Sequence, residues 1–224
     1  MGIYKRMPGA KPKVVNEFAT LLDKGHHFFE KKWKKVLMGL GVAVFAIILA
    51  LSVFQYKSGR NKMAAELLYQ AAKLAEGSDE AVAAFGKVIE SYPRSLAAEN
   101  ARLALGNIWL ARGDYPKAED ALLPLESAKT NLTKVIGLHS LAAVRSAKGD
   151  LKGAAEKYLQ AFDYSDNPVK GFSYFNAALA YYNAGNIDGA RKIFEELADE
   201  KSQFTTPELI EKSKEQLIWM SAQK

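Results

Sequence analysis

The chain has 224 residues, 49% of them hydrophobic and 25% charged, with a formal net charge of +6 and no cysteine. Without cysteine there are no disulfides, no thiol nucleophiles and no lipid-modified cysteine anchor. Residues 1–35 hold nine Lys and Arg against three acids, so residues 36–224 balance at 22 basic against 22 acidic, and a broad basic surface for nucleic acid is not expected.

Met1 to Pro12, with Pro8, Gly9 and Pro12, reads as disordered. Val14, Val15, Phe18, Leu21, Leu22, Phe28, Phe29 and Trp33 then recur at three- and four-residue steps, with Lys13, Lys24, Lys31 and Lys32 between them. This predicts a basic amphipathic helix, broken at Gly25, that suits an anionic leaflet. The plainer reading is a stop-transfer flank. His26 and His27 are adjacent, so they point to different faces of such a helix.

Val36 to Phe54 is an unbroken apolar run without a charge, and Gln55 and Tyr56 extend it to a polar edge. As a helix, residues 36–56 cover about 30 Å, one hydrocarbon thickness. Trp33, Tyr56 and lysines flank the run as interface anchors. A cleaved signal peptide needs a shorter apolar stretch and a small-residue cleavage site. Here Ala50-Leu51-Ser52 is the candidate triplet, and it lies inside the run. The segment reads as an uncleaved signal anchor. The positive-inside rule keeps residues 1–35 in the cytoplasm and sends the rest across. Residues 57–62 form a short connector; fully extended, they reach about 20 Å, which holds the following domain at the membrane surface.

Beyond the connector the chain repeats. Gly77, Gly113, Gly149 and Gly185 are spaced 36 residues apart. Three of them open similar turns, Gly113-Asp114-Tyr115, Gly149-Asp150-Leu151 and Gly185-Asn186-Ile187, with Ala118, Ala154 and Ala190 following. Glycine closes one helix in left-handed geometry, Asp or Asn caps the next, and alanine marks a close helix crossing. Leu103, Leu105, Gly106, Trp109 and Leu110 precede the second glycine, and Leu122 and Leu125 follow it at helical phase. Leu138, Leu141, Ala142, Tyr158 and Ala161 repeat this in the third unit; Tyr174, Ala177, Ala178, Tyr181, Phe194 and Leu197 do so in the fourth.

These antiparallel helix pairs resemble tetratricopeptide repeats over about residues 62–204. In the first unit Ala81, Phe85, Val88 and Pro93 fit the pattern one residue out of step with Gly77. Its first helix also lacks the aromatic found at Trp109 and Tyr181, and the third unit has Arg145 at that place. Thr206-Pro207-Glu208 starts a last helix, through Leu209, Leu217, Ile218 and Met220, that should cap the exposed end. The expected fold is all-α: one transmembrane helix, then an α-solenoid of about four helix pairs over residues 63–222 with a C-terminal capping helix.

The resemblance implies a concave groove lined by the first helix of each pair. Helical phase puts Asn107, Ile136, His139, Ala143, Phe172, Phe175, Leu179 and Tyr182 toward it. Phe172, Phe175 and Tyr182 form an aromatic patch suited to an apolar partner segment. The competing reading has the capping helix fold over this patch, and the sequence leaves both open. Family members that clamp acidic C-termini use lysines and asparagines where this chain has Glu66, Leu103 and Phe172, so that ligand is not supported.

Little in the sequence points to chemistry. His139 is the only histidine after the span, which removes multi-histidine metal sites and most Ser-His arrangements. Gly39-Leu40-Gly41 lies within the apolar run and is not a phosphate loop; it suits helix packing. Asn131-Leu132-Thr133 is a formal glycosylation triplet, meaningful only in a eukaryotic secretory setting. No catalytic residue, metal, cofactor or small-molecule substrate is expected.

The order of basic tail, single span, short connector and small repeat domain resembles the YfgM-like family, ancillary subunits of the Sec translocon. That resemblance implies a bacterial inner-membrane protein with a cytoplasmic N-terminus and a periplasmic repeat domain. Its implied partners are Sec channel subunits, periplasmic chaperones or translocating chains. A scaffold or assembly factor for another envelope machine (division, peptidoglycan synthesis, secretion or pilus biogenesis) would share every one of these features.

Overall fold

The computed structural model describes residues 13–222, which are helical throughout apart from turns and connections. They divide into two compact units between Ser58 and Gly59. The first unit is helix throughout its described length, the N-terminal part of α1 (Lys13–Ala72), a helix of 60 residues.

Three features of α1 bear on the sequence reading. The helix does not break at Gly25. One interior glycine costs about 1 kcal/mol relative to alanine, too little to stop a helix carried by good formers on either side. Residues 57–62, expected as a connector, are helical too. The apolar stretch is long enough to cross a membrane by length and composition, and Leu37, Leu40, Phe45, Ile48, Leu51 and Phe54 are all exposed. Of the amphipathic face expected before it, Leu21, Leu22 and Trp33 are exposed. The side chains of residues 13–18 and 27–31 and the expected disordered start, Met1 to Pro12, lie outside the described residues.

The second unit holds the end of α1 and eight further helices among the described residues: α2 (Asp79–Ser91), α3 (Leu96–Ala111), α4 (Tyr115–Leu122), α5 (Asn131–Ala147), α6 (Leu151–Phe162), α7 (Lys170–Asn183), α8 (Ile187–Ala198) and α9 (Pro207–Ala222). A 3₁₀ segment, Leu123–Ser127, extends α4. Pro124 sits at its start, where the missing N–H costs nothing.

The glycine turns form as their residue types require. Gly113, Gly149 and Gly185 have φ of 74°, 83° and 80°. After each, the next amide reaches back to close the helix: Asp114 N to Trp109 O, Asp150 N to Arg145 O and Asn186 N to Tyr181 O, all at 2.9 Å. That is a Schellman closure. The same Asp or Asn then caps the following helix, its side-chain oxygen accepting from Lys117 N, Gly153 N or Gly189 N. One residue ends a helix and starts another.

The first repeat, the end of α1 with α2, keeps the turn in step but not the buried face. Gly77 has φ 74° and Ser78 caps α2 by accepting from Ala81 N at 3.1 Å, at the places of Gly113 and Asp114. Yet the buried residues of α2 are Ala81, Phe85 and Val88, against Ala118, Leu122 and Leu125 in the second unit, a spacing of 37 and not 36. The shift read in the sequence is a rotation of α2 relative to its cap.

Ala118, Ala154 and Ala190 are completely buried, as close crossings demand. The C-terminal core joins Phe175, Ala178, Phe194 and Leu197 to Leu209 and Met220 of α9. Closure there needs Gly171: a Cβ at that position would collide with the Phe204 carbonyl and come within 2.7 Å of Leu209 Cδ1.

Candidate interaction surface

The residues expected in the groove fall into three sets. Asn107, Ile136 and Phe172 are exposed, Phe172 by 38%. Ala143 and Leu179 are half-buried. Phe175, by contrast, is only 9% exposed and lies edge-on to Phe194 with ring centroids 5.4 Å apart. Tyr182 is half-buried, its ring 5.1 Å from that of Trp219 on α9. The open aromatic patch therefore gives way to a covered one at Phe175 and Tyr182. Phe175 joins a buried cluster with Phe194 and Leu197 of α8 and Leu209 and Met220 of α9, and Tyr182 meets Trp219 of α9, which removes apolar area from water. Phe172 stays exposed.

His139 is a fastening between repeats. Its Nε2 lies 2.7 Å from Ser173 Oγ on α7, and its ring meets Tyr158 edge-on at 5.1 Å. Ser173 is completely buried. Its hydroxyl accepts from Asn167 Nδ2 at 2.9 Å and donates to the Val169 carbonyl at 3.2 Å. Asn167 Nδ2 also donates to Ala161 O at 2.8 Å, and Asn167 Oδ1 accepts from Val169 N. Burial holds the His139 pKa below its ordinary value and pushes the Tyr158 phenol up. A serine beside a histidine suggests a nucleophile and base, but this oxygen is sealed from substrate and already has its partners. The pair is structural.

Other charges bind neighbouring units at their edges. Arg112 Nη2 donates to Asp79 at 2.8 Å and to the Gly77 carbonyl at 2.5 Å. Lys148 pairs with Glu119 at 2.7 Å, and the largely buried Lys157 pairs with Glu126 at 2.6 Å. Arg145, at the place of the missing aromatic in the third unit, lies 4.0 Å from Glu119 and 3.7 Å from Asp150. A guanidinium between two carboxylates does there what Trp109 and Tyr181 do by apolar packing. Tyr174 donates to Glu196 at 2.7 Å, and burial followed by that bond raises its pKa well above the ordinary value. Among the described residues no group of His, Cys, Asp and Glu is placed to hold a metal.

Sequence reasoning missed two features. One is a cavity of about 680 Å³ at the first repeat, lined by Ala71, Ala72, Leu74, Phe85, Asn107 and Ile108 among others. Its signal was present: the first repeat has Ala72-Lys73 where the second has Trp109. The other is that Leu96, Leu132 and Val169, in first turns or just before them, are exposed alongside Ile136 and Phe172. Only Asn107 of the expected residues lines the cavity.

A family model for the tetratricopeptide repeat-like domain matches residues 26–212. The chain belongs to that family. The match takes in the apolar stretch of α1 as well as the repeats. No curated protein matches the chain. Tetratricopeptide repeat-like domains are protein–protein interaction modules, and protein partners follow for this one.

Proposed function

We propose that this chain is a membrane-anchored, non-catalytic protein-interaction module of a bacterial inner membrane, with its N-terminus in the cytoplasm and its repeats in the periplasm. It serves there as an accessory of the Sec translocon, of the YfgM-like kind, meeting emerging chains or periplasmic chaperones. The observation that carries this reading is the pairing of an exposed apolar helix, all excess positive charge on its N-terminal side, with a repeat domain in one family match. The positive-inside rule gives the orientation. Ile136, Phe172, Asn107 and the alanine-lined cavity offer the concave face a partner would meet, while Phe175 and Tyr182 hold the cap in place.

Affinity capture of the full chain from detergent extract, after crosslinking from position 107 or 136 in living cells, tests the assignment. Recovery of Sec channel subunits is the expected result. Their absence, with division, cell-wall or secretion components in their place, would move the protein to the scaffold alternative. Protease digestion of intact spheroplasts tests the orientation: the repeat domain should be cut and the N-terminal tail protected.

A further inference from the structure

We propose that the outer face of α9 seats a helical segment of a protein partner, apolar along one side and basic beside it, as the second helix of a fifth hairpin. This face shares no residue with the concave surface above, and it depends on the domain's being an interaction module, not on the Sec assignment. α9 is a first helix without a second. In the earlier pairs α4 packs on α3, α6 on α5 and α8 on α7. α9 packs on α8 and α7, and among the described residues no later helix covers it. The 36-residue period tells which side is left. Ser173 and Ala177 of α7 correspond to Leu209 and Ser213, and all four are almost completely buried. Phe175 and Ala178, which cluster with Ala190 and Phe194 of α8, correspond to Glu211 and Lys214, and Tyr182 corresponds to Ile218. Glu211, Lys214 and Ile218 line one groove of about 620 Å³. That groove lies where a second helix sits in the other pairs.

Its side chains define the occupant. Pro207, Ile210 and Ile218 supply apolar surface, and Ile218, 68% exposed, is the most open large apolar side chain of this unit among the described residues. The apolar stripe of an amphipathic helix covers such a strip. Glu200, Glu211 and Glu215 stand there against one cation, Lys214, a formal charge of −2. Lys214 pairs with Glu200 at 3.6 Å, which balances one charge of each sign. Beside the groove Glu208 and Lys212 balance each other at 2.7 Å. The excess therefore rests on Glu211 and Glu215, and among the described residues neither has an ion pair or a side-chain hydrogen bond. They lie four residues apart on one helix, where like charges repel and weaken it. A partner's lysine or arginine set between them relieves that repulsion, which an acidic or neutral segment would not.

The test titrates the full chain, in uncharged detergent, against two dye-labelled, helix-stapled peptides of about 14 residues, four turns. One carries leucine at i, i+3, i+4 and i+7 with lysine beside them; the other has glutamate for each lysine. Fluorescence anisotropy should show the lysine peptide bound about tenfold more tightly than its twin. Glu211→Lys with Glu215→Lys should reverse that preference, which a peptide held only by the micelle would not do. A photo-reactive residue at position 218 should crosslink the lysine peptide, less so as salt is added. Equal affinity for the wild type and the charge-reversed variant, or no binding of either peptide, overturns the docking face. Crosslinks from position 218 into a second copy of the chain overturn it too, in favour of self-association. Each of these failures leaves the function proposed above standing, since crosslinks from positions 107 and 136 report on that separately.

Discussion

Ser173 has no path to solvent, yet it carries a hydroxyl between two repeats. Its three hydrogen-bonding neighbours, His139, Asn167 and Val169, make that tolerable, since a buried polar group costs about 1–3 kcal/mol only when a partner is lost. His139 is the titratable member. Its folded pKa lies below 6.5 because of burial, so the unfolded chain binds the proton more readily. Stability then rises with pH through the window below about 6.5 and is lost as pH falls through the folded value. Melting curves of the wild type from about pH 7 to about pH 5 should show this fall, and His139→Gln should flatten it; an unchanged slope in the variant would remove His139 as its source. Phe175 makes a second residue-scale test. Truncation to alanine should cost about 3–5 kcal/mol by denaturant unfolding, the usual range for a buried ring. Full stability with weakened partner capture would return Phe175 to the open groove.

At the scale of the helix, the turns were legible and the covering was not. The order Gly, then Asp or Asn, then an apolar residue has a local cause, a left-handed residue followed by a side-chain cap, so three turns could be placed from sequence. Alanine at 118, 154 and 190 could be read as a close crossing for the same reason. Ala118→Leu or Ala154→Leu should overpack a hairpin by about 1–3 kcal/mol, measured as a shifted midpoint at unchanged denaturant slope. What helical phase could not supply was which α7 side chains become covered. Leu209 reaches as far as Gly171, and Phe175 is buried in the same cluster as Leu209 and Phe194, while Phe172 stays 38% exposed. The cavity at the first repeat was hidden for a related reason. A missing ring in a repeat can be filled by a neighbour, as Arg145 fills its place between Glu119 and Asp150, or left open, as beside Ala72. Which occurs depends on tertiary neighbours.

At the scale of the molecule, α9 closes an apolar end that a repeat array cannot close by itself. A chain ending before Thr205 should expose Phe194, Leu197 and Phe175 together. Size-exclusion and light scattering of that truncation in detergent, beside the full chain, should show association through the uncovered end. A monodisperse truncation of unchanged stability would mean that the cap is dispensable. The family and the all-α architecture were within reach of sequence because a 36-residue period constrains every unit at once. The one-residue offset of α2's buried face from Gly77 was read too, because Ala81, Phe85 and Val88 keep helical spacing among themselves while the glycine stays on the 36-residue period. The proposed interaction surface was only partly legible: Asn107, Ile136 and Phe172 are open to solvent, whereas Phe175 packs on Phe194 and Tyr182 on Trp219.

Polar fastening is unevenly distributed along the array. The third and fourth hairpins share a sealed serine, a histidine and an asparagine, with Leu209 and Met220 of α9 buried against the last of them, whereas the first borders a cavity beside small side chains. Held at both termini and stretched, such an array would peel from its amino-terminal hairpin and surrender its carboxyl-terminal pair last, which gives force a preferred direction of travel through the protein.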